Sequence, residues 1–287
     1  MKSVVEDIKK GSFKPVYLFY GEEAYLKQQY KNRLKNAVLP EGDTINLSIY
    51  SGKGIDVKEM IAQADTMPFF AEHRLLLIED SGFFKNANQQ LAEYIPSIPE
   101  ETIMLFVESE VDKRGKLYKA VSKKGSVVEF TAQNEQTLTR WILGILKTEG
   151  KMITSGAMKQ FLEKTGTDME RIRQELEKLI CYCMEKESIT EEDVAVICSE
   201  QTENKIFDMI NAMAEKKQKK AMELYYDLLA LKEPPMRILY LITRQFNLLM
   251  QVKELSEEGY SAKTISERLK MAGFIVRNCL RKAEYFS

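Results

Sequence analysis

Thr66-Met67-Pro68-Phe69-Phe70-Ala71-Glu72-His73-Arg74, followed by Leu75-Leu76-Leu77-Ile78-Glu79-Asp80, is the stretch whose reading decides the fold. Two adjacent phenylalanines follow a proline at the end of an amphipathic helical pattern. Neighbouring helix residues point about 100° apart, so one core-facing stripe does not readily bury both. At least one ring is expected to face outward and plug a pocket on another protein; the competing reading puts both in the core. The four apolar residues from Leu75 to Ile78 read as a buried strand that ends in two acids.

Working outward from that strand in both directions, the first 140 residues read as α/β. Pro15 to Tyr20 is a short apolar run closed by Gly21, and Ile45 to Tyr50 alternates before Ser51-Gly52. Thr102 to Val107 and Val127 to Phe130 complete the set of strands. Helical spacing covers Glu22 to Ala37, Val57 to Thr66, Leu91 to Ile95 and Lys116 to Ser122. Pro68 terminates the second of these. Strands alternating with helices predict a mainly parallel sheet with helices on both faces.

Beyond about residue 140 the pattern is helical only. Helices are expected from Thr139 to Lys147, Ser155 to Thr165 and Asp168 to Met184, with the next opened by a capping box at Thr190 and Asp193. Asn204 to Ala214, Lys219 to Leu231, Pro235 to Glu257, Ser261 to Leu269 and Gly273 to Tyr285 follow. The long helix carries a broad apolar face from Ile238 through Leu241 and Leu248 to Val252, suited to a bundle that joins other subunits. The segments divide as 1–140, 141–204 and 205–287.

A strand, a glycine and a helix form the frame of a phosphate-binding loop, G-x-x-x-x-G-K-[ST]. Here the frame reads Gly21-Glu22-Glu23-Ala24-Tyr25-Leu26-Lys27-Gln28. Gly21 and Lys27 match in position. Leu26 replaces the second glycine, Gln28 replaces the magnesium-binding hydroxyl, and two glutamates sit where polyphosphate would lie. The loop is read as degenerate and not expected to bind nucleotide. Glu79-Asp80 mimics a magnesium-holding acid pair but is read as a solvated strand end.

Composition narrows the function classes. With 42 basic and 43 acidic residues the chain has no global field for nucleic acid, so any such contact needs a local patch. Lys113, Arg114, Lys116, Lys119, Lys123 and Lys124 against Asp112 make one, with Lys113, Arg114 and Lys116 the residues to contact phosphate. His73 is the single histidine, which argues against histidine-based catalysis. Cys181-Tyr182-Cys183 lacks a second ligand pair, so no metal is expected and the thiols read as reduced. Lys9 and Lys10 interrupt any secretory signal, no apolar run reaches about 18 residues, and a cytoplasmic location without membrane contact is expected.

The order of motifs resembles the delta subunits of the bacterial DNA polymerase III clamp loader. The resemblance rests on Val16-Tyr17-Leu18-Phe19-Tyr20-Gly21-Glu22-Glu23, Met67-Pro68-Phe69-Phe70 with Arg74-Leu75, Asp112-Lys113-Arg114, Glu175-Leu176-Glu177-Lys178-Leu179, Ile206-Phe207-Asp208, and Glu233-Pro234-Pro235 before Arg244-Gln245-Phe246. It covers essentially the whole chain. It implies an AAA+-like α/β N-terminal domain followed by two all-α domains, a helical lid and an oligomerisation collar. The family's collar runs on past the position of Ser287, so the collar here is read as truncated. The resemblance further implies a non-catalytic subunit, without cofactor, that binds and opens the ring-shaped sliding clamp (the beta subunit) for loading onto primed DNA during replication. Its partners would be the ATPase subunits and delta-prime in a pentamer, with primer-template DNA met through the complex, as part of the DNA polymerase III holoenzyme (a DNA-directed DNA polymerase, a nucleotidyltransferase). The clamp-binding positions would be Met67, Pro68, Phe69 and Phe70. In active AAA+ proteins a segment like Gly166 to Arg171 carries a nucleotide-sensing arginine; with the loop degenerate, Arg171 is read as structural. The alternatives are an AAA+-type ATPase with an unusual loop and a helical DNA-binding adaptor.

Overall fold

Residues Met1–Ala132 alternate helix and strand, as their apolar runs require. The computed structural model describes residues 1–86, 88–198, 202–214 and 216–283. In chain order this unit contains α1 (Lys2–Lys10), β1 (Val16–Tyr20), α2 (Ala24–Val38), β2 (Leu47–Ser51), α3 (Val57–Ala64), β3 (Arg74–Glu79), α4 (Gln89–Tyr94), β4 (Thr102–Glu108), α5 (Lys116–Lys124) and β5 (Ser126–Glu129). The strands form one sheet in the order β2-β3-β4-β1-β5, and every pairing is parallel.

Burial explains that order. Every residue of β1 and β4 is buried, as befits central strands covered on both faces, whereas β2 at the edge buries none of its residues. On one face Leu18, Leu76, Ile78, Met104 and Phe106 meet Met60, Leu91, Leu117 and Val121 from the helices. Helix α1 was not foreseen from the sequence. The Tyr17 hydroxyl, buried in β1, donates to Asp7 Oδ2 at 2.9 Å and so ties α1 down. All strands run one way, so the sheet has two chemically distinct edges. Gly21, Asp80 and Ser109 lie at the C-terminal edge; Asn46, His73 and Glu101 lie at the N-terminal edge. The central strands β1, β3 and β4, of five to seven residues, hold these edges roughly 17–20 Å apart.

Residues Gln133–Ser287 make the second unit. It contains α6 (Glu135–Thr148), β6 (Met152–Ile153), α7 (Ser155–Thr165), α8 (Met169–Tyr182), β7 (Ser188–Ile189), α9 (Glu191–Ile197), α10 (Thr202–Ala214), α11 (Gln218–Ala230), α12 (Pro235–Glu257), α13 (Ala262–Leu269) and α14 (Gly273–Ala283). The expected extension of the last helix to Tyr285 lies outside the described residues. Side chains cap several of these helices: Asn134, Thr154 and Asp168 accept from backbone amides, and Thr190 and Asp193 form the expected capping box, while α6 begins four residues ahead of the expected Thr139. Beside the helices, β6 and β7 form a parallel ladder of two residues each, too short for any periodicity to reveal. Lys151, just before β6, donates to the carbonyls of Cys183, Met184 and Lys186 at 2.9, 2.7 and 2.6 Å and closes the end of α8.

One expectation about α12 needs correcting. Ile238, Leu241, Leu249 and Val252 are buried against Ile206, Met209, Ile210, Leu228, Ile265 and Val276 of the same unit. That stripe is this chain's own core and cannot also be the surface that meets other subunits. The outward residues are Met236, Leu239, Tyr240 and Met250, which are 75, 55, 65 and 67% exposed.

Candidate functional site

The segment between α3 and β3 is fixed at both ends. Asp56 caps α3, accepting from the amides of Lys58 and Glu59 at 2.8 and 3.3 Å. At the other end of the helix, Asp65 accepts from the Tyr94 hydroxyl at 2.6 Å and the Ala64 carbonyl accepts from Thr102 Oγ1 at 2.7 Å. The chain then leaves the helix, passes Met67 and Pro68, and re-enters the sheet at the buried Arg74, whose Nη2 donates to the Met67 carbonyl at 3.4 Å.

Between these anchors the apolar side chains point away from the body. Met67 is 76% exposed, Phe69 57% and Phe70 96%. The two rings meet edge to face with centroids 4.6 Å apart. The reading that both rings are core is therefore excluded. Phe70 adopts a left-handed backbone (φ +49°), which costs a bulky L-residue on the order of 1–3 kcal/mol and persists only where the surroundings impose it. The pair does not sit on the helix; it lies in the bends that follow it. Ile45, also exposed, precedes Asn46, whose side-chain amide hydrogen-bonds the Phe69 backbone. The sequence reading did not single out Ile45, Asn46 or Asp43. A polar residue just ahead of a strand carries no signal of what it pairs with across 23 positions.

The opposite edge of the sheet is closed. Gly21 follows β1 with φ +117°, and a Cβ there would come within 2.3 Å of the Phe130 carbonyl oxygen. That same oxygen accepts from the Glu23 amide at 3.1 Å, while the Phe130 amide donates to the Tyr20 carbonyl at 2.7 Å. Leu26 is buried in the sheet-facing side of α2. Lys27 turns inward and donates to the Glu108 carbonyl at 3.2 Å. Burial pushes its ammonium below the usual lysine range, against the pull of Asp80 and Glu108. The buried Glu108 carboxylate accepts from the Ser81 and Gly82 amides at 3.1 and 3.3 Å and from the Ser81 hydroxyl. Desolvation raises its pKa, opposed by those hydrogen bonds. The lysine and the Glu23 amide that a nucleoside triphosphate would need are thus used by the protein itself. These residues do not fit a nucleotide. Nor is Glu79 simply solvated: it pairs with Lys31 at 2.7 Å.

Two residues of the basic patch are ion-paired within the chain. Lys113 pairs with Glu129 at 2.8 Å and lies 5.5 Å from the centre of the Tyr20 ring. Arg114 pairs with Asp112 at 3.1 Å, though its side chain is 92% exposed, and Lys116 is exposed at the start of α5. The Arg171 amide donates to the cap residue Asp168 at 3.1 Å. Among the described residues, no group of three or more His, Cys, Asp or Glu side chains could hold a metal ion, and no helix is long and apolar enough to cross a membrane.

With the geometry in hand, the relatives of the chain are informative. Residues 17–131 match the family described as DNA polymerase III, delta subunit, and residues 203–287 match the DNA polymerase III delta subunit, C-terminal domain. The chain is 31% identical over 296 residues to DNA polymerase III subunit delta of Bacillus subtilis (strain 168), covering 99% of this chain and 85% of that protein. It is 21% identical over 257 residues to a probable DNA polymerase III subunit delta of Aquifex aeolicus (strain VF5), covering 85% and 72%. Among solved structures it superposes on the Bacillus subtilis DNA clamp loader delta protein with a TM-score of 0.67 at 31% identity, covering 100% of this chain and 88% of that one. A parallel sheet followed by a helical unit, with agreement of sequence along nearly the whole length, makes this chain a member of the DNA polymerase III delta subunit family, the clamp-loader subunits of DNA replication.

Proposed function

We propose that this chain binds the sliding clamp through Met67, Pro68, Phe69 and Phe70 and opens the ring for loading onto primed DNA. The observation that carries the reading is an exposed aromatic pair on an anchored backbone: Phe70 is 96% and Phe69 57% solvent-exposed, while the chain before them is tied to α4, β4 and β3 by hydrogen bonds at Asp65, Ala64 and Met67. Surface phenylalanines held this way gain energy only when a partner covers them. Full burial of one such ring contributes roughly 1.5–3 kcal/mol, and interface energy concentrates in a few anchors of this kind. Two rings are therefore enough to hold a pocket while the surrounding contacts lever the ring.

In this reading residues 141–204 act as the lid and 205–287 as the collar. The collar meets the ATPase subunits and delta-prime in a pentamer through the outward stripe of α12 at Met236, Leu239, Tyr240 and Met250. Primer-template DNA is reached through the complex, with the exposed Lys116 better placed than Lys113 and Arg114, which are ion-paired within the chain. A cytoplasmic location goes with this role. No ATP hydrolysis by this chain is invoked, because the loop at Gly21 to Lys27 does not fit a nucleotide.

The test is the double variant Phe69→Ala plus Phe70→Ala. Its affinity for the sliding clamp from the same source, measured by calorimetry, is expected to fall on the order of a hundredfold or more. Its melting temperature is expected to stay near that of the wild type, since core rings would instead cost about 3–5 kcal/mol each. Undiminished clamp affinity in a folded double variant overturns the reading.

A further inference from the structure

The aromatic pair is exposed, yet its backbone is held by one buried side chain. Asn46 is 2% exposed and sits immediately before β2, where its own carbonyl accepts from the Leu75 amide at 2.8 Å. Its side-chain amide brackets a single residue of the tip. Asn46 Oδ1 accepts from the Phe69 amide at 2.7 Å, and Asn46 Nδ2 donates to the Phe69 carbonyl at 3.0 Å. The second Nδ2 hydrogen goes to Asp43 Oδ2 at 2.7 Å, and Asp43 Oδ1 accepts from the Ile45 and Asn46 amides, both at 3.0 Å.

This arrangement fixes the amide's orientation. The reverse orientation would set an N–H against the Phe69 N–H, and an oxygen against both the Phe69 carbonyl and the Asp43 carboxylate. Both side-chain donor hydrogens are used, and they are used on the tip and on the residue that aligns the amide. A buried asparagine thus uses its side chain to clasp Phe69, which lies ahead of β3, and makes to that one residue the pair of bonds that a neighbouring strand would make. With Phe69 pinned, Phe70 is held in its left-handed conformation and both rings project outward.

We propose that Asn46 is the positioning residue of the clamp contact, holding the Phe69–Phe70 tip in its binding geometry before the clamp arrives. The inference rests on the clamp reading above. It adds that the affinity depends on ordering the tip in advance, because an unheld loop would have to lose its conformational freedom on binding. Asn46 touches no partner in this account; it acts through the backbone of Phe69.

Two measurements on the full chain test it: the Kd for the sliding clamp, and amide hydrogen exchange of Phe69. Asn46→Ala is expected to lose protection at the Phe69 amide and to weaken clamp binding about tenfold. Added to Phe69→Ala plus Phe70→Ala, it should bring no further loss, because there are no rings left to position. Asp43→Ala leaves Asn46 in place but removes the group that aligns it, and should show the same two changes to a smaller degree; it serves if Asn46→Ala does not fold. Asn134→Ala, which removes the cap of α6 in the other unit, should lower stability without altering the Kd. Retained Phe69 protection in Asn46→Ala overturns the inference. So does lost protection with unchanged affinity, or an equal loss of affinity with and without the rings. Failure of the clamp reading appears separately, as wild-type affinity in the variant that lacks both rings.

Discussion

The two ends of one parallel sheet treat their polar and apolar groups in opposite ways. At the C-terminal edge, around Gly21, Lys27 and Glu108, backbone amides, a lysine and a carboxylate are turned inward and satisfied by the protein itself. At the N-terminal edge, around Asn46 and Phe69, the protein satisfies the backbone and leaves the apolar side chains in water. In an open α/β sheet the C-terminal edge is where ligands ordinarily bind. Here the polar groups of that edge are bonded within the protein, and the exposed apolar side chains stand at the other edge. The lesson is that the fate of the hydrogen-bonding groups, rather than the fold, decides which edge is available to a partner.

The comparison breaks most sharply if the C-terminal edge tolerates a side chain at Gly21. Gly21→Ala places a Cβ 2.3 Å from the Phe130 oxygen at φ +117° and is expected to cost about 3 kcal/mol of unfolding free energy. Urea denaturation checks this; a loss under about 0.5 kcal/mol, the range of an ordinary surface change, would mean the edge is open.

At the other edge the proposed clamp contact makes a paired prediction: relieving the strain at Phe70 should help the fold and harm binding. Phe70→Gly removes a bulky residue from a left-handed position and is expected to raise stability by about 0.5–1 kcal/mol while weakening clamp binding tenfold or more. A drop in both quantities would show that Phe70 supports the body of the protein.

A smaller effect concerns pH. Burial raises the folded-state pKa of Glu108 above its ordinary 4.5. The folded protein therefore holds a proton that the unfolded chain has released. The stabilisation from this group is complete below about pH 4.5 and is lost as pH rises through the folded pKa. Glu108→Gln should flatten that part of the stability profile between pH 4.5 and neutrality, as read from denaturation midpoints. An unchanged slope would place Glu108 in contact with solvent.

The smallest expected effect is none at all. Saturating ATP with magnesium should leave the melting temperature of the wild type unchanged, and Lys27→Met should respond identically. A thermal shift that disappears in Lys27→Met would reopen the loop as a nucleotide site.

Much of this molecule was legible in one dimension. The apolar runs at Val16 to Tyr20, Leu75 to Ile78 and Thr102 to Val107 specify central strands, because a parallel sheet buries both faces and leaves no room for alternation. Pro235 and Glu257 bound the longest helix as the periodicity indicated. Leu26 and Gln28 in the loop frame marked the loop as departing from the phosphate-binding pattern, since each missing group has a specific task. Adjacent phenylalanines after Pro68 signalled that one stripe would not bury both. Other features came only with the tertiary structure. Helix α1 is held by a hydroxyl inside β1, the β6–β7 ladder joins two-residue strands 35 positions apart, and one stripe of α12 turned out to be core while the other faces water. Above all, Asn46 meets Phe69 only because parallel pairing of β2 with β3 brings the starts of two distant segments together. Local sequence sets periodicity and turn chemistry over a few residues; which polar group satisfies which, and so which side chains are left for a partner, is settled when distant segments pack.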